Sequence, residues 1–188
     1  AENCVCLKER ADFALGIVTG DNKRYLSNEC LDGMEPVVTG SDVYRYRYQD
    51  SGKYVDPDLA LYQQAAPAKL YRAPEKLIYR FINRQLVFAY DDRQRLTLNS
   101  CNVVIPRVER LDMKYIMAVL NSRVAQYMYE KRYHVVKVLR SHIESIPIPL
   151  ADVRSQQEII QMVDNLMTCE HRGDLYDEID DAVRRLYG

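Results

Sequence analysis

Residues 76–105 read KLIYRFINRQLVFAYDDRQRLTLNSCNVVI, and this stretch decides the fold. It contains three runs rich in β-branched and aromatic residues, 76–82, 86–90 and 96–105, separated by short polar segments. Runs of this composition with polar breaks predict β-strands. Because the breaks are short, we expect an antiparallel meander that ends at Pro106, since proline cannot donate to a ladder.

The residues before this meander also predict short strands joined by loops. An apolar run over 13–18 breaks at Thr19-Gly20-Asp21-Asn22, a cluster with strong turn chemistry. Tyr and Arg then alternate over 43–48, which predicts a strand with the three tyrosines on one face and the two arginines on the other. Residues 49–68 show little periodicity and predict a long connection.

After the meander, the apolar period changes from two to about 3.6 residues, which predicts a helix from Asp112 to Arg132 with Asp112 as its N-cap. Ile146-Pro147-Ile148-Pro149 must be extended, because each proline restricts the residue before it, and this segment marks a boundary. Beyond it, 153–169 and 175–186 predict two further helices separated by Gly173. The expected fold is α+β: a mixed, largely antiparallel twisted sheet packed by helices over 1–149, then a C-terminal helical hairpin or spacer over 150–188.

Composition is that of an ordinary globular protein, with 47% hydrophobic and 28% charged residues in 188. Fifteen Tyr against three Phe favours a surface that is half apolar and half wet, as interfaces are. The five cysteines are odd in number and lack C-x-x-C spacing, so we expect reduced thiols. No apolar run approaches the roughly 20 residues of a membrane span. These features predict a cytoplasmic protein without a membrane partner.

Catalytic and metal-binding motifs are missing from the sequence. It contains no G-x-x-x-x-G-K-[ST], G-x-G-x-x-G, H-E-x-x-H or G-x-S-x-G pattern, and its three histidines lack the spacing of a ligand pair. We therefore predict no catalytic residue, no metal and no cofactor in this chain. The pair Asp91-Asp92 leaves one alternative, a metal-dependent nuclease, against the simpler interpretation of a turn between two strands.

Charge is distributed unevenly although the net charge is only −1. Residues 69–110 contain nine Lys and Arg against four Asp and Glu, whereas residues 151–188 contain four against nine. Local charge creates the field that phosphate meets, so the basic residues of the first 140 positions predict a DNA-binding surface. The predicted DNA-binding residues are Lys23, Arg24, Arg45, Arg47, Arg72, Lys76, Arg80, Arg84, Arg93, Arg95, Lys131, Arg132 and Lys137.

Several stretches, taken in order, resemble a known family. They are Gly16 to Lys23, Pro36 to Arg45, Pro74 to Arg80, Phe88 to Asp91, Asn99 to Val104, Tyr115 to Ser122, Ile143 to Pro149 and Glu178 to Gly188. Their sequence and order are similar to the C-terminal specificity domain of TaqI-like adenine methyltransferases, which is found also in single-chain restriction-modification enzymes of type IIG and type IIS. None of these stretches is catalytic.

The resemblance implies a target-recognition domain over 1–149 that binds duplex DNA, and a spacer over 150–188 that docks on a partner. It further implies that the chain is a fragment of a longer protein whose upstream methyltransferase domain binds S-adenosylmethionine, with Mg²⁺ as a further candidate cofactor. Tyr115, Asn121 and Ser122 match the family but are expected to serve packing and helix geometry. Two other functions stay open: a separate specificity subunit, and a scaffold that binds protein without contacting DNA.

Overall fold

A computed structural model describes residues 3–168 and 173–188 of the chain. In chain order its strands are β1 (Cys4–Val5), β2 (Ala11–Ala14), β3 (Glu35–Val38), β4 (Tyr54–Val55), β5 (Lys76–Arg80), β6 (Phe88–Asp91), β7 (Leu96–Thr97), β8 (Cys101–Pro106) and β9 (Ile148–Pro149). Its α-helices are α1 (Asn22–Tyr25), α2 (Ala68–Tyr71), α3 (Met113–Asn121), α4 (Arg123–Arg132), α5 (Arg140–Glu144), α6 (Val153–Thr168) and α7 (Gly173–Leu186).

The centre of the fold is a four-stranded antiparallel sheet with the order β2-β8-β5-β6. Every residue of β8 and all of β5 except Arg80 are buried. Burial of successive residues requires cover on both faces, which explains why these strands read as continuous apolar runs without alternation. The helix α3 packs on β5 and β6, while α2 contacts β2 and β8.

Two smaller sheets complete the β-structure. In the first, β3 pairs antiparallel with β4 and parallel with β7. In the second, β1 pairs antiparallel with β9, which brings residues 4 and 5 beside residues 148 and 149. The predicted α+β fold with a mixed, largely antiparallel sheet is confirmed.

The predicted meander is wrong in its third strand. The β5–β6 hairpin forms as expected, but the run 96–105 divides into β7, which pairs with β3, and β8, which pairs with the opposite edge of β5. The chain turns between them at Leu98, whose carbonyl accepts a hydrogen bond from the Cys101 N–H at 2.7 Å. Gly16 fits beside this turn because a Cβ there would lie 2.0 Å from the Leu98 oxygen.

The predicted Tyr/Arg strand over 43–48 is also wrong. This segment is a tight turn, in which the Tyr44 N–H donates to the Arg47 carbonyl at 2.8 Å and Tyr46 has a φ of 76°. Tyr46 is fully buried and its N–H donates to the Phe88 carbonyl at the edge of β6, whereas Tyr44 is exposed. Turn geometry therefore separates side chains that strand alternation would have placed on one face.

The single helix expected from Asp112 to Arg132 is two helices. Asp112 caps α3 as predicted, accepting from the Lys114 N–H, but Ser122 is extended and interrupts the helix. The Ser122 hydroxyl donates to the last turn of α3 and accepts from the Ala125 N–H, so it caps α4. Serine is a preferred N-cap, and the apolar stripe that continues through it conceals the break in the sequence.

The two C-terminal helices pack on each other and on the helices α3 and α4. The helix α6 contacts α3, and α7 contacts both α3 and α4. The Gln156 amide of α6 accepts from the Asp112 N–H and donates to the carbonyls of Arg110 and Ala151, each at 2.9 Å. Both predicted helices form, although Cys169 lies outside the described residues; the division at 149/150 stays a prediction.

Cys4, Cys6, Cys30 and Cys101 are free thiols. Within 3–168 and 173–188, no helix is both long enough and apolar enough to cross a membrane.

Candidate nucleic-acid interface

The thirteen predicted DNA-binding residues divide into two groups in the structure. Five are partly or fully buried and make specific contacts: Arg45, Arg72, Lys76, Arg80 and Arg95. Eight are exposed and have no carboxylate of the described residues within ion-pair distance: Lys23, Arg24, Arg47, Arg84, Arg93, Lys131, Arg132 and Lys137. The residues of the second group are those whose charge is available to a ligand.

Lys76 is a correction to the predicted set, because its side chain is 0% exposed and cannot reach DNA. Its ammonium group forms an ion pair with Asp91 and donates to the Tyr71 carbonyl at 2.7 Å. Burial lowers the pKa of Lys76, and the Asp91 carboxylate opposes that change. Lys76, at the start of β5, is therefore a buried partner of the Asp91 carboxylate at the end of β6.

Asp91 is equally buried, and four donors surround its carboxylate. Besides Lys76, it accepts from the Tyr48 hydroxyl at 2.6 Å and from the N–H groups of Arg93 and Arg95 at 3.0 Å. Burial, reinforced by this carboxylate, raises the pKa of Tyr48, so the phenol remains a donor. Asp91 therefore fixes the turn after β6, as the simpler interpretation predicts, and its oxygens are not available to a nuclease metal.

The four partly buried arginines of the predicted set also contact protein groups. Arg45 forms an ion pair with Asp180 of α7 at 3.2 Å, and Arg72 pairs with Glu35. Arg95 lies 3.3 Å from Asp50, while Arg80 donates to the Val43 carbonyl at 2.7 Å. These contacts occupy donors that the sequence assigned to DNA.

The exposed cations do not form one patch, since β5 and β6 separate them. Arg84 lies at the tip of the β5–β6 hairpin, whereas Arg93 follows the opposite end of β6. Because the five residues of β5 span about 13 Å, the two ends of the hairpin are separated by about that distance. Arg93 and Arg47 line one small cavity near Met167 of α6, and Lys23 and Arg24 lie on α1.

Four of the eight exposed cations share one surface, which we call the hairpin-end surface. It consists of residues 81–86 at the hairpin tip and residues 127–140 at the end of α4 and in the following loop. Ile82 and Lys137 pair across an antiparallel bridge, and a cavity brings Arg84 beside residues 133–136. Its predicted cations are Arg84, Lys131, Arg132 and Lys137; the exposed Arg140 adds a fifth, paired with Glu144.

Exposed apolar side chains are concentrated on the same surface. Of the ten exposed large hydrophobic side chains among the described residues, five lie here: Ile82, Tyr127, Val135, Val136 and Leu139. The sequence-based prediction missed them because it searched for charge. The available signal was a pair of valines between basic residues, in a segment without helical or strand period.

The loop 133–139 is held at its base and exposed at its tip. Tyr133 stacks on His142 with ring centroids 3.9 Å apart, and the Val138 N–H donates to the Phe81 carbonyl at 2.8 Å. Val138 is buried, whereas Val135 and Val136 are 45% and 51% exposed. Burial lowers the pKa of His142, which favours the neutral ring in this stack. Contacts within the chain therefore hold both ends of the loop.

A cleft of about 180 Å³ lies beside the loop, between α4 and the segment that follows α5. Aromatic and apolar side chains line it, Tyr127, Met128, Tyr133, Ile146 and Pro147 among them, together with Lys131 and Arg132. Within the described residues, no group of three or more His, Cys, Asp or Glu side chains is arranged to hold a metal ion.

The chain matches the model of a known protein family. The model of the TaqI-like C-terminal specificity domain matches residues 35–148, which is more than half of the chain. No curated protein sequence matches the chain.

Solved structures with a similar fold include three from restriction-modification systems. The type IIL restriction-modification enzyme MmeI in complex with DNA has a TM-score of 0.61 at 10% identity, over 94% of this chain and 32% of that one. A structure of a type I restriction-modification system has a TM-score of 0.60 at 14% identity, over 98% and 42%. The HsdS subunit from Thermoanaerobacter tengcongensis has a TM-score of 0.54 at 13% identity, over 98% and 44%. The chain thus spans less than half of each of these proteins, and at these identities the likeness is one of fold.

Proposed function

The chain belongs to the family of TaqI-like C-terminal specificity domains, and from that premise we propose that it recognises a short sequence in duplex DNA for a restriction-modification system. The observation that carries the proposal is the set of eight exposed cations without a carboxylate partner among the described residues. Phosphate contacts from Lys and Arg supply most of the affinity of such proteins and fix their register on the duplex.

Base recognition requires side chains with paired donors and acceptors in addition to charge. Arg recognises guanine and Gln recognises adenine in the major groove, each pairing contributing about 1–3 kcal/mol of discrimination. Arg84 and Gln85 are both exposed at the tip of the β5–β6 hairpin. Their position beside the exposed cations supports a function in reading sequence.

The chain's own role in this proposal is binding, not catalysis. Asp91 is buried within its own hydrogen-bond network, and residues 3–168 and 173–188 provide no glycine-rich cradle for S-adenosylmethionine. A Cβ at Gly16 or Gly40 would lie 2.0 or 2.4 Å from a backbone carbonyl oxygen, so these glycines serve close packing of the chain. The residues present do not fit this cofactor, which we assign to a separate domain.

We further propose that the parent protein is an adenine DNA methyltransferase or restriction-modification enzyme of which this chain is a part. The match to a C-terminal specificity domain and the coverage of less than half of each similar structure support this assignment. A methyltransferase core with an N-P-P-Y-type motif upstream of Ala1 in the parent gene would support a single-chain enzyme acting in the cytoplasm. Its absence would favour a separate specificity subunit.

Fluorescence anisotropy with a labelled duplex tests the proposed function directly. The affinity should fall steeply as salt rises, with a slope of log K against log [salt] of about −0.9 for each phosphate contact. The duplex should remain intact in the presence of Mg²⁺. Absence of binding at low salt, or affinity that does not change with salt, contradicts DNA recognition; if the chain then still captured a methyltransferase, the protein-binding scaffold would be supported.

A further inference from the structure

We propose that the hairpin-end surface is the face of this chain that enters the major groove of duplex DNA, with the loop 133–139 as the inserted element. The inference rests on the proposed function and specifies where its partner binds. Three independent features of the surface support it: its charge, its apolar tip and its shape.

Charge on this surface favours a polyanion. Five cations, Arg84, Lys131, Arg132, Lys137 and Arg140, lie on the hairpin-end surface with one carboxylate, Glu130, and Glu144 lies just beyond it. Glu144 is paired with Arg140 at 2.7 Å, and Glu130 accepts from the Gln126 amide at 2.7 Å. By contrast, Arg93 at the opposite end of the β5–β6 hairpin follows the exposed Asp92, and Lys23 and Arg24 follow the exposed Asp21. The excess of positive charge without neighbouring acid is therefore greatest at the hairpin end.

The apolar side chains indicate contact with more than phosphate. Exposed apolar groups next to cations are unfavourable in water and gain by contact with an apolar surface of a charged partner. In duplex DNA the thymine methyl group supplies such a surface at the floor of the major groove, between two rows of phosphates. Val135 and Val136 at the loop tip, between Arg132 and Lys137, match that order of apolar centre and charged border.

The shape of the tip matches the groove. The Ile82–Lys137 bridge places the hairpin tip and the loop side by side in an antiparallel arrangement. The major groove is about 12 Å wide and admits a two-stranded β-ribbon. The hydrogen bond from Val138 to Phe81 and the stack of Tyr133 on His142 hold this pair of segments in place, so little order must be gained on binding.

Two matched double variants test the charge of the surface. Lys131→Gln/Lys137→Gln removes two exposed lysines from the hairpin-end surface, and Lys53→Gln/Lys69→Gln removes two exposed lysines from outside the predicted set. The probe is a duplex that the wild-type chain selects from a pool of random sequences. If both surface lysines contact phosphate, the salt slope of the first variant falls in magnitude by about 1.8, and that of the second is unchanged.

A near-isosteric pair tests the apolar tip. Val135→Thr/Val136→Thr replaces one methyl group with a hydroxyl at each exposed valine and leaves the charge unchanged. We expect its affinity for the selected duplex to fall at least about fivefold, while its affinity for an unselected duplex stays at the wild-type value. Circular dichroism of every variant checks that the fold is retained.

The outcomes separate this inference from the proposed function. If the wild-type chain binds the duplex and the hairpin-end variants bind as the wild type does, the inference is wrong and the proposed function stands. If the salt slope is reduced in Arg47→Gln/Arg93→Gln and not in the hairpin-end variants, the interface lies at the opposite end of the sheet. This result also overturns the inference. If the wild-type chain does not bind duplex DNA at all, both fail together.

Discussion

Replacing Asp91 with alanine should destabilise the fold more than replacing Lys76 with methionine, although the two residues form one buried ion pair. The side chains of both are 0% exposed. Removal of one partner from a buried pair costs about 3–5 kcal/mol, because the remaining charge loses its compensation. The asymmetry follows from the other contacts that each residue makes.

The carboxylate is the centre of the network and the ammonium is one of its branches. In Lys76→Met, Asp91 keeps three donors, the Tyr48 hydroxyl at 2.6 Å and two loop N–H groups at 3.0 Å, so we expect a loss near the lower limit, about 3 kcal/mol. In Asp91→Ala, the ammonium keeps only the Tyr71 carbonyl at 2.7 Å and three donors lose their acceptor. The loss should then approach about 5 kcal/mol.

Equilibrium urea unfolding measures both losses as shifts in midpoint at constant slope. Asp92→Ala is the matched control, since Asp92 is the exposed neighbour and should change stability by no more than about 0.5 kcal/mol. The reasoning fails if Lys76→Met costs as much as Asp91→Ala, or if either variant lies within about 1 kcal/mol of the wild type.

Three further predictions concern single residues. Asn121→Ala should cost about 1–3 kcal/mol in urea unfolding, because the buried Phe88 N–H would lose its acceptor, the Asn121 amide oxygen at 2.9 Å, while the Phe88 carbonyl would keep the Tyr46 N–H at 2.7 Å; a change below about 0.5 kcal/mol would contradict this. Since burial lowers the pKa of His142 below 6.5, protonation favours the unfolded chain, so stability should decline as pH falls through about 6.5, and His142→Phe should remove that part of the pH dependence; an unchanged pH profile in the variant would refute it. Gly16→Ala should prevent native packing or cost at least about 3 kcal/mol, because its Cβ would meet the Leu98 carbonyl at 2.0 Å; wild-type thermal stability in this variant would show that the turn can move.

Local composition was sufficient to predict the element types of the central sheet, and pairing was the part that it could not predict. The runs that became β5, β6 and β8 are rich in β-branched and aromatic residues, a preference that acts along a few residues. The third run divides because residues 96 and 97 pair with β3, some sixty positions earlier in the chain. That choice depends on contacts between distant segments, which a local pattern does not record.

The candidate site shows the same limit for charge. A count over residues 69–110 correctly identifies a basic stretch, but folding buries Lys76 in the core and places Arg84 and Arg93 at opposite ends of one hairpin. The ionic partner of Lys76 is fifteen positions away on the neighbouring strand. A buried lysine and an exposed one are indistinguishable in composition, so only the contacts made in the folded chain separate structural cations from those available to phosphate.

Part of the negative charge of the C-terminal helices is neutralised by contacts within the chain. Asp180 of α7 is 4% exposed and accepts from the first N–H of α4, that of Arg123, at 3.0 Å, as well as from Arg45 at 3.2 Å. A carboxylate at a helix N-terminus is stabilised by the exposed N–H groups and the dipole there. Asp177 pairs with the Arg123 side chain, so two acids of α7 bind this chain's own arginines. A partner that recognises the acidic helices must therefore use the side of α6 and α7 away from Arg45 and Arg123.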